Sequence, residues 1–257
     1  MKKVLGIDIG GSGVKGAVVD VKSGKFLSDR IRVPTPKPYS LEGLLGAIDE
    51  IVKTLNWSGK IGCGFPGVVR AQTIETALNL GSPFFGVNLA EEIGKRCACE
   101  AWVINDADAA GIGEMQFGAG RKKDGTVLML TVGTGIGAAL FTNGHLVPNM
   151  EFGSIKMKDK KSGKMMIAEA ICSDAARKKY DLKWEEWAER FNKYLNYVQY
   201  LLNPDLIILG GGVSSKPEKF FSHLNVKCDL VLAELENRAG IVGAAVEASR
   251  HGGAKSK

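Results

Sequence analysis

Val4-Leu5-Gly6-Ile7-Asp8-Ile9-Gly10-Gly11-Ser12-Gly13 opens the chain as an apolar run that ends in glycines. Aliphatic and β-branched side chains in such a run read as a buried strand, and the glycines as a tight turn. Apolar residues resume at Val14, Ala17, Val18 and Val19, so a returning strand is expected, giving a β-hairpin rather than a strand-to-helix step. The same grammar recurs at Val127-Leu128-Met129-Leu130-Thr131-Val132-Gly133-Thr134-Gly135-Ile136-Gly137, followed by Ala138, Ala139, Leu140 and Phe141. The two hairpins lie about 125 residues apart, which reads as an internal duplication with one hairpin opening each half.

Between and after the hairpins the periodicity changes. Leu44, Leu45, Ile48, Ile51, Val52 and Leu55 fall at helical spacing and predict an amphipathic helix over 41–55. A strand over 61–65 enters a Pro66-Gly67 turn, and a short helix covers 88–97. A strand over 101–104 ends at Asn105-Asp106, and a small-residue helix follows over 107–117. In the second half, 156–164 carries five lysines and reads as an exposed loop. A long helix over 184–202, with Trp184 and Trp187 as packing residues, is stopped by Asn203-Pro204-Asp205. The buried strand 206–209 ends in Gly210-Gly211-Gly212, the last helix spans 239–249, and a frayed tail is expected from 252. Strands alternating with helices give an α/β class with mixed sheets.

With 257 residues there is room for two modest domains. Hydrophobic residues at 45% and charged residues at 24% match a globular chain rather than a disordered one. No apolar run reaches the roughly 18 residues of a membrane span. The apolar stretch after Lys2-Lys3 is too short for a signal peptide and is interrupted by Asp8, so a cytoplasmic location is expected. Cys63, Cys97, Cys99, Cys172 and Cys228 are odd in number and irregularly spaced, which excludes a disulfide framework and predicts buried structural thiols. Cys97 and Cys99 are too close for a metal pair, and no zinc site is expected. The net charge of +6 favours anionic partners such as nucleotides or polyphosphate. His145, His223 and His251 form no set with Ser or Cys, so a hydrolase triad is unsupported.

Five places carry chemistry. The first hairpin turn sets Gly10, Gly11, Ser12 and Gly13 beside Asp8 and Lys15; glycines let backbone N–H groups approach an anion, and Asp8 at the strand end suits a hydrated Mg²⁺. The second turn offers Thr131, Gly133, Thr134 and Gly135 to another phosphate. At the strand-to-helix junction Asp106 can accept a hydroxyl proton, with Asp108 as a competing base and helix capping by Asn105 or Asp106 as the rival explanation. Glu151 and Glu169 suit a ligand rich in hydroxyls, since a carboxylate can accept from two vicinal OH groups. Gly210, Gly211 and Gly212 let a flat ring or a phosphate chain lie on the backbone.

Taken in order, Asp-Ile-Gly-Gly-Ser-Gly-Val-Lys-Gly (8–16), Gly-Phe-Pro-Gly (64–67), Asn-Asp-Ala-Asp-Ala-Ala (105–110), Gly-Thr-Gly-Ile-Gly (133–137), Glu-Phe-Gly (151–153) and Gly-Gly-Gly-Val-Ser (210–214) resemble the ROK family of sugar kinases, repressors and open-reading-frame proteins over nearly the whole chain. Within it, the Gly-Ser-Gly turn, Lys183-Trp184-Glu185-Glu186-Trp187, Gly240-Ile241-Val242-Gly243-Ala244-Ala245 and the absence of the Cys-rich zinc motif resemble the polyphosphate glucokinase branch.

The resemblance implies an actin-like, hexokinase-type ATPase fold: two α/β domains with a cleft between them, here 1–110 and 111–238, with a helix at 239–250 packing back on the first. It implies Asp106 as catalytic base, and a hexose held by Gly67, Asn79, Asn105, Glu151, Ser154 and Glu169. The donor phosphates would meet Gly10, Gly11, Ser12, Thr134 and Gly135, with Gly211 and Gly212 beside the nucleoside or the polyphosphate tail. It implies Mg²⁺, ATP or polyphosphate as donor, and a homodimer. No helix-turn-helix is present, so nucleic acid is not an expected partner. Ser154 departs from the family's Glu-x-Gly-His, whose His contacts the sugar, so the identity of the hexose is the open point. A ROK kinase for another sugar, or a sensor that binds sugar or nucleotide without transfer, is the alternative.

Overall fold

The computed structural model describes residues 2–77, 80–159 and 162–251. The chain divides into two compact units, Met1–Phe117 with Arg238–Lys257, and Gly118–Asn237. The expected boundary at 110 is corrected to after Phe117, because the helix that starts at Asp106 runs unbroken to Phe117 inside the first unit.

The first unit opens with an antiparallel hairpin, β1 (Lys3–Gly10) and β2 (Gly13–Asp20), in which Gly10 pairs with Gly13 and Asp8 with Lys15. β3 (Lys25–Phe26) and β4 (Ile31–Val33) both pair with β2. Next come α1 (Leu41–Thr54), capped by Ser40, β5 (Ile61–Phe65), and the two-residue strands β6 (Val69–Arg70) and β7 (Thr73–Ile74). Then follow α2 (Leu89–Cys97), capped by Asn88, β8 (Ala101–Asn105) and α3 (Asp106–Phe117). The sheet runs β3-β2-β1-β5-β8, with β4 also on β2, and β5 and β8 are parallel to β1. Alternation along β1 sends Leu5, Ile7 and Ile9 into one core with Ile48 and Ile51 of α1 and Ile93 of α2.

The second unit repeats this plan. β9 (Thr126–Val132) and β10 (Ile136–Thr142) form the second hairpin, and β11 (His145–Met150) adds to β10. β12 (Lys156–Lys158), β13 (Met165–Ile167), α4 (Glu169–Cys172), α5 (Asp174–Lys179) and α6 (Trp184–Leu202) lead to β14 (Leu206–Gly210) and β15 (Asp229–Leu232). The sheet order β11-β10-β9-β14-β15, with β14 parallel to β9 and β15 parallel to β14, matches that of the first unit. The duplication read from the two glycine turns is thus a duplication of sheet topology. One face of α6 buries Trp187, Phe191, Tyr194, Leu195 and Val198; Trp187 stacks on Phe191 and donates its ring N–H to the Cys172 carbonyl at 2.8 Å.

The lysine-rich stretch after Ser154, read above as a loop, is instead a hairpin: β12 pairs with β13 from Lys156↔Ile167 to Lys158↔Met165. Strand alternation turns Lys156 and Lys158 outward while Met157 packs on the core. Lys160 and Lys161 lie outside the described residues. Cys63, Cys99 and Cys172 are buried and Cys97 and Cys228 half-buried, all as free thiols. Burial pushes the Cys172 thiol up to about 12, which keeps it protonated and unreactive.

The last described helix is α7 (Ala239–Arg250), which packs on α3, β1 and β5 of the first unit, and the tail expected from 252 lies outside the described residues. A methyl group at Gly6 would collide with the Ile241 carbonyl, one at Gly62 with the Ala244 carbonyl, and one at Gly243 with the Ala109 carbonyl. Those three glycines bring α7 into backbone contact with the sheet and with α3, on the sheet face opposite α1.

Candidate active site

In the first unit, β8 carries the chain to Asn105 and α3 begins at Asp106. The Asn105 side-chain oxygen accepts the Asp108 amide at 2.9 Å, which is the cap of α3, and its side-chain NH₂ donates to the Gly67 carbonyl at 3.1 Å. Asn105 therefore ties the Pro66-Gly67 turn to the start of α3. Asp106 is partly buried and accepts the Ala107 amide at 2.9 Å. Gly64 brings β5 close beneath it: a methyl group there would sit 3.3 Å from the Asp106 Cα. Asp108, the competing base, is buried at 2% exposure, whereas Asp106 keeps access to solvent. Asn79 lies outside the described residues.

In the first glycine turn, Lys15 and Asp8 form an ion pair at 3.0 Å across β1 and β2. Three turn carbonyls are held by side chains that carry no signature in the sequence. Thr35 donates its hydroxyl to Gly10 at 2.5 Å, Tyr39 to Gly11 at 2.9 Å, and the Arg32 guanidinium to Ser12 at 2.8 Å. Their proximity depends on β4 pairing back on β2, a non-local contact with no periodic trace. Asp8 lies beside Gly240, at the start of α7. Among the described residues no group of three or more His, Cys, Asp or Glu side chains gathers there or elsewhere. A single carboxylate fits Mg²⁺ that keeps its waters and arrives on the donor's phosphate oxygens, and does not form an all-protein cage.

In the second unit the remaining residues surround the turn between β9 and β10. Glu169 accepts the Ile136 amide at 3.0 Å and lies against Gly135, where a methyl group would overlap its carboxylate. Gly153 is pressed on the Ile136 carbonyl, which places the Glu151–Ser154 segment beside the same turn. The Gly133 carbonyl accepts the Ala175 amide at 3.1 Å. Gly210 pairs with Thr131, and Gly211, with φ +81°, packs on the Val132 backbone. Thr131, Gly133, Thr134, Gly135, Glu151, Ser154, Glu169, Gly211 and Gly212 thus form one neighbourhood. Glu151 is exposed as a residue, yet partial burial of its carboxyl, with the Glu169 charge nearby, raises it above its ordinary value. The structure gives Glu169 a second task, holding the glycine turn, which the sequence did not disclose.

Comparison with known proteins bears on both neighbourhoods. The ROK family model matches residues 4–180. A polyphosphate glucokinase of Mycobacterium tuberculosis is 39% identical over 243 residues, 94% of this chain and 89% of the relative. The inorganic polyphosphate/ATP-glucomannokinase of Arthrobacter sp. strain KM superposes with a TM-score of 0.92 at 37% identity, covering 98% of this chain and 100% of that one. A ROK family glucokinase from Streptomyces griseus, solved with glucose and AMPPNP, gives a TM-score of 0.84 at 25% identity over 97% of this chain and 100% of that one. The sequence match, the duplicated sheet and the order of the motifs agree: this chain belongs to the ROK family and has its actin-like, hexokinase-type ATPase fold.

Proposed function

We propose that this chain transfers a phosphoryl group from polyphosphate or ATP to a hexose hydroxyl, the 6-OH of glucose first, with Asp106 as the general base. The class is that of a hexokinase/glucokinase-type phosphotransferase. The observation that carries the reading is the division of labour at the head of α3. Asn105 makes the helix cap and the tie to Gly67, so the cap of α3 does not depend on Asp106, which accepts the adjacent Ala107 amide and keeps access to solvent. A carboxylate at that junction takes the proton as the hydroxyl attacks phosphorus.

The remaining roles follow from local chemistry. Gly10, Gly11, Ser12 and Gly13 offer a turn whose amides suit phosphate oxygens, and Gly133, Thr134 and Gly135 offer a second. Asp8 would hold Mg²⁺ through water; that ion, when bound, neutralises charge on the transferring phosphoryl group. Gly211 and Gly212 give backbone room for the remainder of the donor. In the second unit Glu151, Ser154 and Glu169 would accept from or donate to sugar hydroxyls, and in the first unit Gly67, Asn79 and Asn105 are the sugar-binding candidates.

The names of the relatives support the substrates. The mycobacterial protein is a polyphosphate glucokinase, the Arthrobacter protein a polyphosphate/ATP-glucomannokinase, and the Streptomyces protein holds glucose. Ser154, standing where the family has His, makes the sugar the variable to measure. The test is a coupled assay of the purified chain on a hexose panel that includes glucose and mannose, with ATP and polyphosphate as donors. Turnover with at least one hexose is expected, and no turnover with any pair would overturn the proposal.

A further inference from the structure

Asp8 on β1, Lys15 on β2 and Arg32 on β4 stand in register across three neighbouring strands. Directly paired residues of antiparallel strands share a face with their Cβ atoms about 5 Å apart, and like charges so placed repel. The row therefore reads minus, plus, plus. Lys15 is matched by Asp8 at 3.0 Å, and among the described residues no carboxylate lies within ion-pair distance of Arg32, whose guanidinium donates instead to the Ser12 carbonyl. One positive charge is left over on this row, and it is not free to drift. The Arg32 guanidinium donates to the Ser12 carbonyl at 2.8 Å and lies so close to Gly13 that a methyl group there would be 2.9 Å from its Nε.

The same segment sets the orientation of the turn. Thr35, Tyr39 and Arg32 hold the carbonyls of Gly10, Gly11 and Ser12. In a trans peptide the following N–H points opposite to the carbonyl. Fixing those carbonyls on the side of this segment directs the Gly11 and Ser12 amides away from it. A guanidinium has five donors in a rigid fork, and one of them is spent on Ser12.

We propose that Arg32, Thr35 and Tyr39 are the positioning residues of the donor turn, holding the Gly10, Gly11 and Ser12 carbonyls so that the Gly11 and Ser12 amides face the phosphate chain, while the uncompensated charge of Arg32 adds a longer-range attraction for that anion. The proposal rests on the kinase reading above for its ligand, and concerns residues that the family motifs do not include.

The experiment is calorimetric titration of inorganic tripolyphosphate, in the absence of sugar, into the wild-type chain, Arg32→Gln and Arg32→Lys, with the thermal midpoint of each ligand-free protein recorded alongside. Releasing one turn carbonyl and removing one nearby positive charge weakens anion binding by about tenfold. Arg32→Gln is expected to show that loss and Arg32→Lys a smaller one, while the ligand-free midpoints stay within a few degrees because a like-charge pair has been relieved. A merely structural Arg32 would lower the midpoint and leave tripolyphosphate affinity unchanged. That outcome, or a wild-type chain that does not bind tripolyphosphate, overturns the proposal. Should Arg32→Gln fail to fold, Arg32→Lys and Tyr39→Phe carry the test, since both keep the volume and weaken either the fork or the turn. Hexose turnover by the wild-type chain is read separately: activity with unaltered tripolyphosphate binding in Arg32→Gln refutes the role of Arg32 alone, and inactivity of the wild-type chain refutes the kinase reading.

Discussion

The side-chain oxygen of Asn105 accepts the backbone amide of Asp108 at 2.9 Å, while the other end of the same side chain donates to Gly67. One residue thus caps α3, fixes the Pro66-Gly67 turn and holds the peptide from which Asp106 projects. Replacing Asn105 with Ala should cost about 1–2 kcal/mol of stability through the lost cap. Turnover should fall as well, because the Asp106 peptide loses its tether. Asn105→Asp keeps the acceptor and loses the donor to Gly67, so it should fall between. Denaturant midpoints and kcat for the three proteins check this; equal kcat in all three would show that Asp106 is positioned some other way.

Glu169 links the sugar-binding assignment to the second glycine turn. Its carboxylate accepts the Ile136 amide at 3.0 Å. Glu169→Gln retains an acceptor and should lose mainly sugar affinity, whereas Glu169→Ala also releases the turn and should raise the KM for donor and sugar together. Steady-state constants for both substrates separate the two; a donor KM unchanged in Glu169→Ala would remove the turn-holding role.

The raised Glu151 carboxyl makes a pH prediction whose sign follows from linkage. Burial, and then the charge of Glu169, raise it above its ordinary value of 4.5. The folded state therefore holds this proton more tightly than the unfolded state, and that stabilisation is fully present below 4.5 and lost as pH rises through the raised folded value. Relative to Glu151→Gln, the wild-type chain should lose stability over that window. Glu169→Gln, which removes the second cause, should narrow it. Melting curves across pH 4–7 give the measurement, and parallel profiles for wild type and Glu151→Gln would count against the shift.

Much of this was legible in the sequence. The two glycine-ended apolar runs gave both hairpins, and helical spacing gave α1 and α6, because each signal is local. Asp106 was legible as a carboxylate at a strand-to-helix junction, but whether it or Asn105 served as cap was a matter of side-chain geometry. The β12–β13 hairpin is hidden in the sequence because five lysines outweigh a three-residue alternation. Arg32, Thr35 and Tyr39 carry no sequence signal because what makes them matter is the pairing of β4 with β2, and the turn-holding role of Glu169 has none because its bond to Ile136 spans 33 residues.

Close packing of α7 gives a prediction independent of chemistry. A methyl group at Gly243 would overlap the Ala109 carbonyl, so Gly243→Ala must push α7 off α3. Overpacking of this kind costs about 1–3 kcal/mol. Thermal or denaturant unfolding of the variant checks it, and a wild-type midpoint would mean that the two helices separate freely.

Use of polyphosphate should fall more steeply with added salt than use of ATP, since a longer anion engages more cations and releases more counterions. Neutralising Lys156, Lys158 and Lys164 together should flatten the polyphosphate curve if the lysine hairpin forms a track for the chain. Initial rates for both donors over a range of ionic strengths decide this, and equal slopes before and after substitution would exclude the track.

The central claim is that Asp106 accepts the proton of the sugar hydroxyl, and Asp106→Asn tests it most directly, since it keeps size and removes the base. Single-turnover and steady-state rates with the best hexose and donor should drop by about 10²–10⁴-fold, with the sugar Kd changed by no more than a few-fold. Turnover close to that of the wild-type chain would contradict the account.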